Sequence, residues 1–160
     1  MPLLVTEQDV ADAFKGLPDD LRAIYDYWKA KSAGRAMPAR ADIDPMEIKP
    51  LLPSLILVDV NYDGANKPDF VYRLLGTREV EVRGENPTGR RVAEAYFGPS
   101  LENVLGCYQR VLDSGKPLVD DDYFVRDGDD FADEVNIFLP LSNDGTRINM
   151  IMVYTAYRRK

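Results

Sequence analysis

Histidine is absent from the 160 residues of this chain, and its absence removes several kinds of chemistry. Histidine is the commonest general base near neutral pH and the commonest metal ligand. A Ser-His or Cys-His nucleophile pair, a two-histidine zinc site and a histidine-ligated haem are therefore excluded. The single cysteine, Cys107, cannot form an internal disulfide. We expect no catalytic residue, no metal and no cofactor, and we predict that the chain is not an enzyme.

The acidic residues are concentrated in one part of the chain. The formal net charge is -7, and Asp113 to Glu134 holds nine acidic and two basic residues. Asp127-Gly128-Asp129-Asp130 offers carboxylates at positions 1 and 3 of a calcium loop. Positions 5, 6 and 12, which require a ligand, glycine and glutamate, hold Phe131, Ala132 and Phe138. We therefore predict a hairpin turn there, and the acidic balance argues against nucleic-acid binding.

An amphipathic helix is predicted near the N-terminus. Leu21, Ile24, Tyr25 and Trp28 recur at i, i+3, i+4 and i+7 after Pro18. This stripe must pack against the sheet of the same chain or against a second copy of the chain. We predict a homodimer formed through it.

The remaining predicted elements are two strands, short helices, one long helix and three more strands, in that order. Apolar, β-branched segments predict two strands joined by a short loop, and Asp-Gly turns separate three more near the C-terminus. Short helical pieces and one long helix lie between the two groups. Hairpins at both ends indicate an antiparallel sheet and the α+β class. The predicted strands are 55–60, 70–75, 118–125, 132–141 and 147–157, and the long helix is 100–114.

Three local blocks carry a family resemblance. They are Met37-Pro38-Ala39-Arg40 with Asp44-Pro45, then Tyr72 to Thr77, then Thr88-Gly89-Arg90. In this order, they resemble a proteobacterial family of PAS domains. The resemblance implies a five-stranded antiparallel sheet of order 2-1-5-4-3 with helices on one face. We predict an N-terminal helical extension over 1–35 and a PAS domain over 36–160. Because 160 residues leave no room for an output domain, we expect a stand-alone module.

The resemblance also implies a pocket between the sheet and its helices. The cysteine of photoactive flavin domains is missing from the expected short helix, because Cys107 lies on the long helix. Arg73 stands in an apolar strand, where its forked guanidinium could anchor a carboxylate or phosphate, pair with an acid or extend into solvent. The pocket candidates are Arg73, Val104, Tyr108, Phe138 and Tyr154.

Three functions remain compatible with the sequence. The first is a sensory or regulatory module that binds a small metabolite, a signalling protein partner or both. The second is an interaction adaptor whose pocket is filled by Tyr108, Phe138 and Tyr154. The third is a small isomerase- or cyclase-like enzyme that uses a buried carboxylate such as Asp59 or Asp122 as the base. No signal peptide or apolar run of about 18 residues is present, so we expect a cytoplasmic protein without membrane contact.

Overall fold

The computed structural model describes the backbone of residues 2–127 and 130–159 and the side chains of residues 2–121 and 134–157. A sheet forms its centre, with helices between the strands. The strands are β1 (Leu3–Leu4), β2 (Leu55–Tyr62), β3 (Pro68–Leu75), β4 (Leu118–Asp127), β5 (Asp130–Leu141) and β6 (Met150–Arg159). The helices are α1 (Val10–Ala13), α2 (Asp19–Ser32), α3 (Thr77–Arg83), α4 (Val92–Ala95) and α5 (Leu101–Ser114). Two 3₁₀ segments, Arg40–Asp42 and Pro45–Ser54, precede β2.

Helix α5 has the boundaries that its sequence predicts, because both ends are capped. The Ser100 hydroxyl accepts a hydrogen bond of 3.1 Å from the backbone N–H of Asn103. At the other end, Gly115 adopts the left-handed conformation with φ of 68°. The apolar stripe of α5 then faces the sheet, where Val104, Tyr108 and Val111 are buried.

The sheet has six strands within the described residues, so the prediction of five is wrong in number. Its order from edge to edge is β1-β4-β5-β6-β2-β3, and every pairing is antiparallel. The five long strands, β2 to β6, can be renumbered 1 to 5 in chain order. Read from the β3 edge, their order in the sheet is then 2-1-5-4-3. The additional strand pairs Leu3 with Val119 and Leu4 with Leu118. A strand of two residues is too short to show an alternation of apolar and polar residues, so the sequence could not reveal β1.

The helices that follow β3 share one face of the sheet, whereas α2, in the predicted N-terminal extension, lies on the other face. Helix α2 packs against β5 and β6 on one face, here called the outer face. The Trp28 indole donates a hydrogen bond to the Pro140 carbonyl, and Tyr154 donates its hydroxyl hydrogen to Asp20 at 2.9 Å. Helices α3, α4 and α5 lie over the opposite, inner face.

The apolar stripe of α2 is therefore buried within the chain. Leu21 and Ile24 are 0% exposed, and Tyr25 and Trp28 are almost as inaccessible. Residues that contact their own sheet cannot also contact a second protomer. The predicted dimer surface is wrong, since the chain itself covers these four side chains.

The inner face holds an aromatic stack. Tyr108 of α5 lies 4.9 Å from Phe70 of β3 and 5.4 Å from Phe138 of β5, measured between ring centroids. These contacts fix α5 across the sheet. No helix in the described residues has both the length and the apolar content needed to cross a membrane. Gly128 and Asp129, on which the calcium-loop and hairpin-turn arguments depend, lie outside the described residues.

Candidate functional site in a polar cavity

A small cavity with polar groups lies between the inner face and the helices. Its volume is about 20 Å³. That space holds about one water molecule and is far smaller than the roughly 300 to 1,000 Å³ of typical small-molecule sites. The lining side chains come from β2, β3, β5 and β6, from α3 and α5, and from the segment after α4: Ile56, Tyr72, Arg83, Tyr96, Phe97, Val104, Tyr108, Glu134, Asn136, Phe138, Val153 and Thr155.

A buried ion pair on α3 borders the cavity through Arg83, the member of the pair that lines it. Glu79 and Arg83 are one helical turn apart, and Arg83 Nη1 lies 3.4 Å from Glu79 Oε1. Their side chains are only 2% and 8% exposed, respectively. Within the described part of the chain, Glu79 Oε2 and Arg83 Nε are buried without a hydrogen-bond partner. Such groups are rare in native structures because each loses its hydration without compensation.

Burial also changes the acidity of the Glu79 carboxyl. It raises the pKa of the Glu79 carboxyl above its usual value, and the nearby Arg83 charge partly opposes that rise. The Arg83 guanidinium also lies over the Tyr72 ring, 6.0 Å from its centroid. The pair thus contains one buried donor and one buried acceptor that lack hydrogen-bond partners.

Strands β5 and β6 supply the polar floor. The Thr155 hydroxyl donates to Asn136 Oδ1 at 2.7 Å, and both residues are buried. Glu134 lies two residues before Asn136 on the same strand face. Burial raises the pKa of Glu134 to about 7, although a hydrogen bond from Asn136 opposes the rise. This carboxyl therefore titrates near neutral pH.

Two aromatic side chains stand at the mouth. Tyr96 and Phe97 follow α4, and Phe97 is 49% exposed although it lines the cavity. The Arg83 guanidinium lies 5.9 Å from the centroid of the Phe97 ring. Movement of this exposed ring would widen the mouth without breaking the sheet.

The structure brings three of the five predicted pocket residues to the cavity. Val104, Tyr108 and Phe138 line it. Tyr154 points to the outer face, where it contacts Asp20. The residues on either side of it in β6, Val153 and Thr155, point to the inner face and line the cavity.

Arg73 also lies away from the cavity. The register of β2 with β3 shifts by one residue between Leu57 and Val58, which leaves Arg73 without a cross-strand partner. Its side chain is 66% exposed, with Nε 3.8 Å from Asp59 Oδ2. The ion pair with an acid, one of the alternatives for this residue, is the arrangement that the structure contains. Arg83 stands in the cavity instead.

The polar residues of the cavity were not singled out from the sequence, although two signals existed. Period-two alternation puts Glu134 and Asn136 on the same face as Phe138, which was expected to point inwards. Glu79 lies in a short helix predicted over 77–82, and Arg83 follows that helix directly, four residues after Glu79. Such spacing usually indicates an exposed pair, so nothing in the sequence marked this pair as buried.

The described fold and cavity agree with a family comparison. A family model described as a PAS domain matches residues 18–154. The chain belongs to the PAS domain family. PAS domains are sensory and signalling modules, and this chain is one. The narrower resemblance to proteobacterial members stays a prediction, as does a domain boundary at residue 35.

Other comparisons add little to the family assignment. The PAS domain has a solved structural neighbour, described as an RNA-binding light-oxygen-voltage receptor, with 12% identity and a TM-score of 0.47. The match covers 98% of this chain and 38% of the receptor chain, so the PAS domain spans well under half of that protein. No curated protein matches the sequence. The absence of nucleic-acid binding in this PAS domain stays a prediction.

Proposed function

We propose that this PAS domain is a sensory module that binds a small polar metabolite in the inner cavity. The supporting observation is the buried pair Glu79 and Arg83, which leaves one acceptor and one donor atom unsatisfied. A ligand with both an acceptor and a donor would restore the hydrogen bonds that both groups lost on burial. Zwitterions and carboxylic amides of a few heavy atoms have this chemistry.

The size of the cavity defines how such a ligand would bind. The enclosed space of about 20 Å³ admits a single polar group, so the rest of the molecule would occupy the mouth. Displacement of Phe97 would couple binding to the segment between α4 and α5. A protein partner that contacts this segment would then detect whether the cavity is occupied.

An interaction adaptor with a filled interior is the second candidate. The stack of Phe70, Tyr108 and Phe138 occupies much of the space between α5 and the sheet. An adaptor would retain a water molecule between Glu79 and Arg83 and would act through its surface alone. An enzyme has less support: Asp59 is paired with exposed Arg73, and the side chain of Asp122 lies outside the described residues.

Native mass spectrometry and thermal shift assays distinguish the two candidates. The purified protein is measured directly and then with a panel of amino acids, short carboxylates and amides. We expect one compound to bind one-to-one and raise the melting temperature. Arg83→Met and the cavity-filling variant Val104→Phe should abolish that rise, whereas Arg73→Ala, which alters an exposed arginine, should retain it. A bare protein that no panel member stabilises would favour the adaptor.

A further inference from the structure

A second concavity lies on the outer face, opposite the polar cavity. It is formed by the 3₁₀ segment Pro45–Ser54, the outer face of β2 and β3, and Met152 of β6, and we call it the outer groove. Its volume is about 390 Å³. Its apolar walls include Ile48, Leu52, Leu55, Leu57, Leu74 and Met152.

The walls of the outer groove are held by specific contacts. The backbone N–H of Gly76 donates to the Leu55 carbonyl at 2.7 Å. Gly76 also packs so closely on the carbonyl groups of Leu52 and Pro53 that a Cβ atom would overlap them. At the start of the segment, Asp44 Oδ1 accepts a hydrogen bond of 3.0 Å from the Met46 N–H. The groove is therefore a preformed feature of the fold.

The charged side chains that line the outer groove are all cationic. Arg40 and Lys49 line it, and the described residues that line it include no acid. Neither cation forms a salt bridge within the described part of the chain; Arg40 donates only to the Ile43 carbonyl, at 3.0 Å. In a chain of net charge -7, a concavity with cations alone is unusual. It favours an occupant whose body is apolar and whose end group is an anion.

The volume selects the kind of occupant. It lies within the range of about 300 to 1,000 Å³ that small ligands occupy. A single aliphatic chain fits the apolar walls and leaves its end group beside the cations.

We propose that the outer groove binds a medium-chain aliphatic carboxylate. The chain packs on Leu52, Leu57 and Leu74, and the carboxylate interacts with Arg40 and Lys49. This site is separate from the polar cavity and does not depend on the proposed metabolite. A fatty acid and the free end of a carboxylated lipid share this chemistry.

The test is calorimetric titration of the whole protein with decanoate below its micelle concentration. We expect one-to-one binding, and we expect decanol, which has the same chain without the charge, to bind about tenfold more weakly. Leu74→Glu places a charge on an exposed wall residue and should weaken decanoate binding at least about tenfold. Lys49→Glu should do the same through repulsion.

Matched variants control for unspecific effects. Val82→Glu changes another exposed hydrophobic residue outside the groove, and Lys15→Glu changes a distant exposed lysine. Both should bind decanoate as the unmodified protein does. The proposal is wrong if decanoate gives no binding up to its solubility limit, or if Leu74→Glu and Lys49→Glu leave binding unchanged. It is also wrong if light scattering shows a dimer that Leu74→Glu dissociates, because the groove is then an interface between copies.

Discussion

The Trp28 indole donates a hydrogen bond of 2.8 Å to the carbonyl of Pro140, a residue 112 positions further along the chain. This bond joins α2 to the outer face through a side chain that is 3% exposed. Trp28→Phe keeps an aromatic ring but leaves the buried carbonyl without its donor. We expect a loss of about 1 to 3 kcal/mol in the free energy of unfolding, measured by urea denaturation. Tyr27→Phe, which removes an exposed hydroxyl on the same helix, should cost less.

The buried pair on α3 should show strong coupling. Arg83→Met leaves the Glu79 carboxyl buried without its cation, and we expect a loss of about 3 to 5 kcal/mol. Adding Glu79→Met should recover much of that loss, because the double variant leaves neither charge buried in the protein. A double-mutant cycle from chemical denaturation measures the coupling. Arg90→Met, at an exposed pair with Glu85, should change stability by less than about 1 kcal/mol. Additive losses at Glu79 and Arg83 would contradict the contact.

Glu134 should make stability decrease as the pH rises towards neutrality. Its pKa is about 7 in the folded protein, against 4.5 for an unperturbed glutamate. Between these values the folded state binds a proton that the unfolded state has lost, so the free energy of unfolding falls with rising pH. The decrease is at most about 3.5 kcal/mol, because one pKa unit corresponds to about 1.4 kcal/mol.

A variant isolates this contribution from the other groups that face Glu134, which include Glu79, Arg83 and Asp120. Glu134→Gln should be more stable than the unmodified protein at pH 8, and the difference should shrink at pH 5. Urea denaturation at both pH values measures it. Glu81→Gln, on the exposed side of α3, should show no such dependence. A difference that is equal at both pH values would show that Glu134 has an ordinary pKa.

Local patterns in the sequence predict much of the fold. Helix α5 carries an N-cap, an apolar stripe and a C-cap glycine in register, so its boundaries follow from nearby residues alone. The stripe of α2 predicts the helix equally well, but periodicity cannot identify the surface that the helix covers. That surface depends on Pro140, which is distant in sequence. The position of α2 therefore could not be decided without the structure.

The candidate site is less predictable, for a related reason. Val104, Tyr108 and Phe138 were found because bulky apolar residues on known faces must point inwards. The face of Arg73 could not be decided from the sequence, because both sides of its strand are apolar and the β-bulge beside it interrupts the alternation of faces. Arg83 is spaced four residues from Glu79, as in many exposed ion pairs on helices. Its burial depends on how α3 packs in the fold, which the sequence does not show.

Two glycines should respond in opposite ways to the same substitution. Gly76 is buried, and an alanine Cβ there would overlap the backbone carbonyls of Leu52 and Pro53, which cannot move as a side chain can. We expect Gly76→Ala to cost about 2 to 3 kcal/mol and to distort the outer groove. Gly106 lies inside α5, where a Cβ meets no atom within 4 Å. Gly106→Ala should stabilise the protein by about 0.5 to 1 kcal/mol, since alanine restricts the unfolded chain and favours the helix. Chemical denaturation of both variants measures the contrast, and a tolerated alanine at Gly76 would contradict the close packing of the 3₁₀ segment.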